Sequence, residues 1–188
     1  MENLIVVLEG PSGAGKDSVI QGLIAKYPDI YEKIISYTTR DIRPYESEGN
    51  PYFFVSTPIM EAMIQTGEVF EYTMRHGTYR AMAHHVIDDI LNRGKTPIKD
   101  CDPVGVTALK KAYPTQVLAI FLKAPKAEIK KRLISRGDTK AEIQCRLNDY
   151  DEYLKNETLF DHSVENVVLD ATVTIIHEII TKRKQAAG

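Results

Sequence analysis

Nine consecutive residues carry the clearest chemistry in this chain: Gly10, Pro11, Ser12, Gly13, Ala14, Gly15, Lys16, Asp17 and Ser18. They follow directly on the apolar run Leu4–Leu8. A buried strand that breaks into glycines and resumes as a helix leaves a row of backbone N–H groups pointing into one concavity. The helix N-terminus behind it adds partial positive charge, so the concavity suits the oxygens of a polyphosphate. Lys16 supplies a mobile full charge for the terminal phosphates. Gly10, Gly15 and Lys16 keep the P-loop spacing. Asp17 stands where that pattern has Ser or Thr, and Ser18 comes one residue later, either to cap the helix or to hold a water of Mg2+.

A bound triphosphate implies phosphoryl transfer, which needs positioning and charge neutralisation more than covalent help. An acceptor must then reach the terminal phosphate. Arg40 and Arg43 are spaced to present two guanidinium forks to one anion on that acceptor, although two arginines three apart also occur on solvated surfaces. Tyr52 and Tyr79 could add hydroxyl donors while their rings exclude water. Glu71 ends the extended piece Glu68–Tyr72, and its two oxygens would match the adjacent N1–H and 2-amino donors of guanine; the plain alternative is a surface strand carboxylate. Ser36 could donate to a base oxygen. Asp100 and Asp102 close a buried strand, where acids of open α/β sheets face Mg2+, its waters or a polar substrate edge. Mg2+ is implied by the triphosphate rather than by a protein-built cage, so no metal ligand set is expected.

The remaining composition narrows the class. The chain has 188 residues, enough for one domain with inserted sub-domains, and 43% of them are apolar. A net charge of −2 argues against a general nucleic-acid binder, so anion recognition must come from local clusters. No basic flank, cleavage site or spanning stretch precedes the first strand, which predicts a cytoplasmic protein without a membrane partner. Cys101 and Cys145 have no CxxC spacing and read as reduced thiols. His84 and His85 are adjacent, about 100° apart on a helix, which is poor ligand geometry and predicts surface or packing roles. The oligomeric state is not readable.

Helical and extended patterns alternate, which predicts parallel βαβ units. Val19, Ile20, Leu23 and Ile24 recur at helical spacing behind the glycine loop. Strands are predicted at Ile34–Ser36, Thr96–Asp100 and Val117–Leu122, with a weaker one at His162–Asn166. A closing helix runs from Leu169 with Val173, Ile176, Ile179 and Ile180 on one face, and Lys182–Gly188 reads as a fraying tail. Between Ser36 and Gly94 lie extended pieces at Tyr52–Val55 and Glu68–Tyr72, a helix capped by Thr57 with Pro58 in its first turn, and a second helix from Ala81 to Leu91. This block reads as an inserted sub-domain. From Pro125 to Tyr153 one helix carries Lys130, Lys131 and Arg132, breaks at Ser135–Thr139, and restarts with a Thr139/Glu142 capping box ahead of Arg146. Arginines on both sides of a glycine hinge make either a mobile flap or a solvated hairpin.

Together these residues resemble the guanylate kinases, a branch of the nucleoside monophosphate kinases. Gly10–Lys16 is similar to that family's P-loop. Ser36-Tyr-Thr-Thr-Arg40, Arg43-Pro44 and Gly49–Ser56 follow its more specific signature, and Gly67–Glu71, Gly77–Tyr79, Asp100-Cys-Asp102, Gly105 and Arg132–Gly137 continue it in order. The resemblance implies an α/β fold: a P-loop three-layer core around a parallel β-sheet, with an inserted GMP-binding sub-domain and a helical lid. The core would take residues 1–35, 95–124 and 154–188, the sub-domain 36–94 and the lid 125–153. Arg40, Arg43, Tyr52 and Tyr79 would hold the GMP phosphate, Ser36 and Glu71 would read guanine, and Asp102 would assist on its edge. Lys16, Arg136 and Arg146 would neutralise the transferring group. The implied reaction is ATP + GMP giving ADP + GDP with Mg2+, and dGMP a second acceptor.

Two departures stand out. After Tyr79 the family usually has Tyr-Gly and then Thr or Ser, whose hydroxyl helps read the base; here Arg80-Ala81-Met82 stands instead. Gly-Lys16-Asp17-Ser18 also resembles ribose 1,5-bisphosphate phosphokinase, whose acceptor is a sugar phosphate. A third possibility is a non-catalytic guanylate-kinase-like binding module, but such modules typically erode the P-loop that this chain keeps. The Ser36–Arg40 and Tyr52–Ser56 blocks favour the nucleotide.

Overall fold

The computed structural model describes residues 3–186. Its first strand, β1 (Ile5–Glu9), is buried along its whole length and leads through the glycine loop into helix α1 (Lys16–Lys26). Two short strands follow, β2 (Tyr31–Lys33) and β3 (Ser36–Thr38), then β4 (Tyr52–Phe54) and helix α2 (Thr57–Gln65). The hairpin of β5 (Val69–Arg75) and β6 (Thr78–Ala83) runs into helix α3 (His84–Asn92). Next come β7 (Thr96–Asp100), α4 (Pro103–Ala112) and β8 (Val117–Lys123). Helices α5 (Lys126–Arg136), α6 (Lys140–Asn148) and α7 (Tyr150–Lys155) precede β9 (His162–Glu165) and the long α8 (Leu169–Ala186).

Five strands form a wholly parallel sheet in the order β2-β7-β1-β8-β9. Both of its faces are covered, as a parallel sheet requires. On β1 the alternation is strict: Val6 and Leu8 pack with α1 and α8 through Val19, Ile20, Leu23, Val173 and Ile176. Ile5 and Val7 pack on the other face with α3 and α4 through Ile87, Ile90, Val106 and Leu109. Each such fully buried aliphatic side chain contributes about 1.5–3 kcal/mol. A second sheet, β4-β3-β6-β5, combines one parallel pair with two antiparallel pairs. Helices α5, α6 and α7 share a small core of Ile129, Leu133, Ile143 and Tyr150.

Several sequence expectations shift. The strand expected at Ile34–Ser36 is two strands in different sheets, β2 ending at Lys33 and β3 beginning at Ser36. Ser56, not Thr57, occupies the N-cap of α2, with Pro58 in the first turn as expected. The helix expected from Ala81 starts at His84, because Ala81 pairs with Tyr37 and Tyr72 across β6. The tail expected to fray continues as helix through Ala186, and Lys184 Nζ donates to Thr96 Oγ1 at 2.5 Å; residues 187–188 lie outside the described part. The Thr139/Glu142 capping box is present in full. Both cysteines are free. His84 Nδ1 meets the Tyr113 hydroxyl at 3.0 Å and His85 Nε2 the Tyr37 hydroxyl at 2.9 Å, which are packing roles. No helix among the described residues is long and apolar enough to cross a membrane.

Candidate active site

The glycine loop sits at the carboxyl end of β1, where close packing dictates its residues. A Cβ on Gly10 would lie 1.9 Å from the carbonyl oxygen of Leu122, so no side chain fits beneath the loop. Gly15 holds φ 94° at the N-cap of α1, a left-handed conformation open to glycine at little cost. Lys16 folds back across the loop, its Nζ donating to the Gly10 carbonyl at 2.5 Å. Burial pushes the Lys16 ammonium below its ordinary pKa, opposed by the carboxylates of Glu9, Asp100 and Asp17. Asp17 and Ser18 are exposed on the first turn, and Lys33 Nζ lies 3.5 Å from the Asp17 carboxylate.

Glu9 went unnoticed in the sequence. It is 2% exposed at the end of β1, its Oε2 has no hydrogen-bond partner, and burial raises its pKa while Lys16 opposes that rise. A glutamate directly between an apolar run and the glycine loop was the available signal.

Arginines from the helical segment reach this loop. Arg132 of α5 donates to the carbonyls of Ala14 at 3.0 Å and Asn166 at 2.8 Å, while Asn166 Nδ2 donates to the same Ala14 carbonyl at 2.7 Å. Arg136 makes a two-pronged pair with Asp138, at 2.7 and 2.5 Å. Arg146 Nε sits 3.2 Å from the same carboxylate, and its guanidinium also donates to the Ser12 hydroxyl. One carboxylate therefore gathers both arginines beside the P-loop. Hydrogen bonding from Arg136, with the charges of Arg136 and Arg146, holds Asp138 below its ordinary pKa.

Between the two sheets opens a cleft of about 640 Å³, lined among others by Ser36, Arg40, Tyr52, Glu71 and Asp102. The volume suits a small-molecule ligand. Glu46 clamps Arg40 with two hydrogen bonds of 2.6 and 2.7 Å, and the guanidinium lies 5.3 Å from the Tyr52 ring centroid. That pairing, followed by the Arg43 backbone N–H, pulls the Glu46 carboxyl down to about 2. Asp102 caps α4 by accepting from the Gly105 N–H at 2.8 Å. Glu71 owes its place to a register shift between Val69 and Glu71, after which it pairs with Met82 rather than Ala81. A one-residue slip turns every later side chain to the other face. Thus Glu71, Thr73 and Arg75 line the cleft with Thr78, Arg80 and Met82. Burial, then the Asp102 charge, raises the Glu71 carboxyl, with Lys99 opposing.

Two expected members stand elsewhere. Tyr79 does not line the cleft; its ring packs beside Tyr72, because strand pleating puts it and Arg80 on opposite faces. Arg43 is exposed outside the lining, its guanidinium 3.4 Å from the Tyr45 hydroxyl. Arg80 takes the cleft position instead, 5.4 Å from the Tyr52 ring centroid and without an ion-pair partner among the described residues. Its face follows from strand pleating once Thr78–Ala83 is known to be extended, which the sequence pattern does not show.

The cleft and the P-loop meet where β1 and β7 run side by side, with Leu8 opposite Asp100. This is the carboxyl edge of a parallel sheet, where ligands of such folds collect.

Comparison with known proteins agrees with this layout. Residues 2–183 match the family model described as guanylate kinase. The guanylate kinase of Syntrophus aciditrophicus (strain SB) is 32% identical over 183 residues, covering 97% of this chain and 88% of that protein. The guanylate kinase of Enterococcus faecalis (strain ATCC 700802 / V583) is 34% identical over 179 residues, 94% of this chain and 87% of its own. The crystal structure of guanylate kinase from Anaplasma phagocytophilum superposes with a TM-score of 0.68 at 21% identity, covering 97% of this chain and 86% of that one, and so shares the fold. A loop built for polyphosphate, a facing cleft and a match of this length lead to one conclusion: the chain belongs to the guanylate kinase family.

Proposed function

We propose that this chain transfers the γ-phosphoryl group of ATP to GMP, and to dGMP, giving ADP and the nucleoside diphosphate. The supporting observation is the convergence of Ser36, Arg40, Tyr52, Glu71 and Asp102 on one cleft that opens at the P-loop edge of the sheet. Residues 36–94 act as the acceptor-binding sub-domain, 125–153 as the lid, and 1–35, 95–124 and 154–188 as the core.

ATP lies with its phosphates on Gly10–Ser18. Arg40 holds the acceptor phosphate beside Tyr52, with Arg80 in the place expected of Tyr79; Arg43 adds charge from outside the lining. Glu71 accepts from the guanine N1–H and 2-amino group, Ser36 donates to the base, and Asp102 assists on its edge. An acceptor phosphate oxygen attacks the γ-phosphorus while the bond to the β–γ bridging oxygen breaks. Lys16, Arg136 and Arg146 offset the charge that collects on the transferring group.

Mg2+ fits this site. The ion would enter with the phosphates of the nucleotide, which it prefers to an all-protein cage. The unpartnered, buried Glu9 oxygen and the nearby Asp100 carboxylate would hold its waters, with Ser18 or Asp17 at the helix start. When bound, Mg2+ neutralises phosphate oxygens.

The test is ADP release from ATP–Mg2+ against GMP, dGMP, IMP, AMP, UMP and ribose 1,5-bisphosphate. GMP and dGMP should be turned over, with AMP and UMP near background. Turnover of the sugar phosphate alone would replace the acceptor, and none with any of the six would leave a binding module.

A further inference from the structure

The wall of the cleft holds a part-buried lysine. Lys99 stands on β7, whose neighbouring Ile98 packs into the core between the sheet and the α1/α8 layer, while Lys99 itself lines the cleft. Its Nζ donates to a single acceptor, the Ile34 carbonyl, at a long 3.4 Å. No carboxylate pairs with it within 4 Å among the described residues, although Glu71 lines the same cleft and its charge acts on Lys99. The Glu71 carboxylate likewise has no hydrogen bond or ion pair among the described residues, its backbone alone being paired in the β5–β6 ladder. Burial pushes the Lys99 ammonium below its ordinary pKa.

A desolvated ammonium with unused donors is costly to hold open. So is a half-buried carboxylate with unused lone pairs. Lysine can only donate and ionised glutamate can only accept, so a ligand satisfying both must offer an acceptor beside its donors. A 6-oxopurine does this, with O6 next to N1–H. Adenine inverts the order, putting an amino donor toward the ammonium and a bare N1 toward the carboxylate. O6 has two lone pairs, so the Ser36 hydroxyl on the same wall can fill one and leaves the other for Lys99, since Met82 offers no donor.

We propose that Lys99 is a specificity-determining residue of the acceptor site, its ammonium donating to the 6-oxo group of the purine whose N1–H and 2-amino donors Glu71 accepts. The proposal rests on the guanine-nucleotide reading of this cleft and deepens it. Lys99 and Glu71 act as a crossed pair, each satisfied by the ligand rather than by the other.

The test compares kcat/KM for GMP and for 6-thio-GMP, whose sulfur is a poor acceptor while N1–H and the 2-amino group are kept. Wild type should favour GMP by about 10- to 100-fold. Lys99→Met keeps the volume without donors and should bring the two substrates within about 3-fold, while Lys99→Gln, which keeps an N–H donor, should fall between. An unchanged preference in Lys99→Met overturns the proposal, as does a wild type that treats both substrates alike. If Lys99→Met fails to fold, the wild-type ratio and Lys99→Leu, which also lacks a donor, decide: a Leu variant with the full wild-type ratio overturns the proposal. Absence of any GMP turnover by wild type is a different result, which removes the guanine reading and the proposal with it.

Discussion

At the scale of single residues, the acceptor site depends on which face of a strand a side chain meets. Tyr79 and Arg80 are neighbours in the chain, yet only Arg80 lines the cleft. Arg40 and Arg80 both lie over the Tyr52 ring, at 5.3 and 5.4 Å. Two guanidiniums on one ring repel unless an anion joins them, and Glu46 offsets only the first. A charge-assisted bond to a phosphate is worth about 1.5–3 kcal/mol, so Arg80→Ala should raise the KM for GMP by roughly 10- to 100-fold. The KM for ATP should stay within about twofold, since Arg80 is remote from the P-loop bonds described above. Tyr79→Phe keeps the ring packed against Tyr72 and should leave GMP kinetics near wild type. Steady-state kinetics on the two variants checks this, and the reverse ranking would return the phosphate to Tyr79.

Among the elements, those with local causes were legible in the sequence and those made by pairing were not. The β1–glycine loop–α1 unit announces itself through an apolar run, tight glycines and helical spacing, and the break between α5 and α6 through Gly137 and the Thr139/Glu142 box. Strand β8 read correctly because its continuous apolar run marks a buried parallel strand. Strand β7 matches its expected bounds without such a run, only Pro97 and Ile98 being apolar between Thr96 and Asp100. The Ala81-Met-Ala83 run favours helix by propensity, and only its partners β3 and β5 make it a strand. With that strand missing, the faces of Tyr79 and Arg80 could not be assigned. The register shift that turns Glu71 into the cleft comes from backbone geometry and Arg132 on the P-loop carbonyls from contacts across more than a hundred residues, neither of which spacing encodes. The Arg40–Glu46 pair spans only six residues, but an irregular loop between them leaves no periodicity from which to read it. Arg132 carries a prediction at this scale. It ties α5 to Ala14 and Asn166, so Arg132→Gln should lower unfolding stability by about 1–2 kcal/mol and weaken ATP binding. Urea melts should show a lower midpoint with an unchanged m-value, and ATP titration a raised Kd. An unchanged midpoint would mean that the helix holds the loop by Ile129 and Leu133 packing alone.

Over the whole molecule, a net charge of −2 gives no general attraction for a phosphorylated ligand. The attraction has to be local, and the cleft concentrates it: Arg40, Arg75, Arg80 and Lys99 share its walls with Glu71, Asp100 and Asp102. Low-dielectric walls focus such a field and raise the local concentration of an anion, whereas salt shortens its reach. Arg75 isolates this effect, because it is exposed at the end of β5 and forms no ion pair among the described residues. A contribution made through the field must vanish once screening falls below the distance over which it acts, while a direct contact persists. The Debye length is about 10 Å at 0.1 M and about 3 Å at 1 M. Arg75→Gln should therefore raise the KM for GMP about threefold near 0.05 M KCl and match wild type near 0.5 M. Arg80→Ala, which removes a contact, should keep most of its defect at both salt concentrations. The measurement is KM for GMP against KCl for wild type and the two variants at saturating ATP–Mg2+. Parallel curves for Arg75→Gln and Arg80→Ala would mean that both arginines touch the acceptor, and the long-range part of the attraction would have to come from another face of the protein.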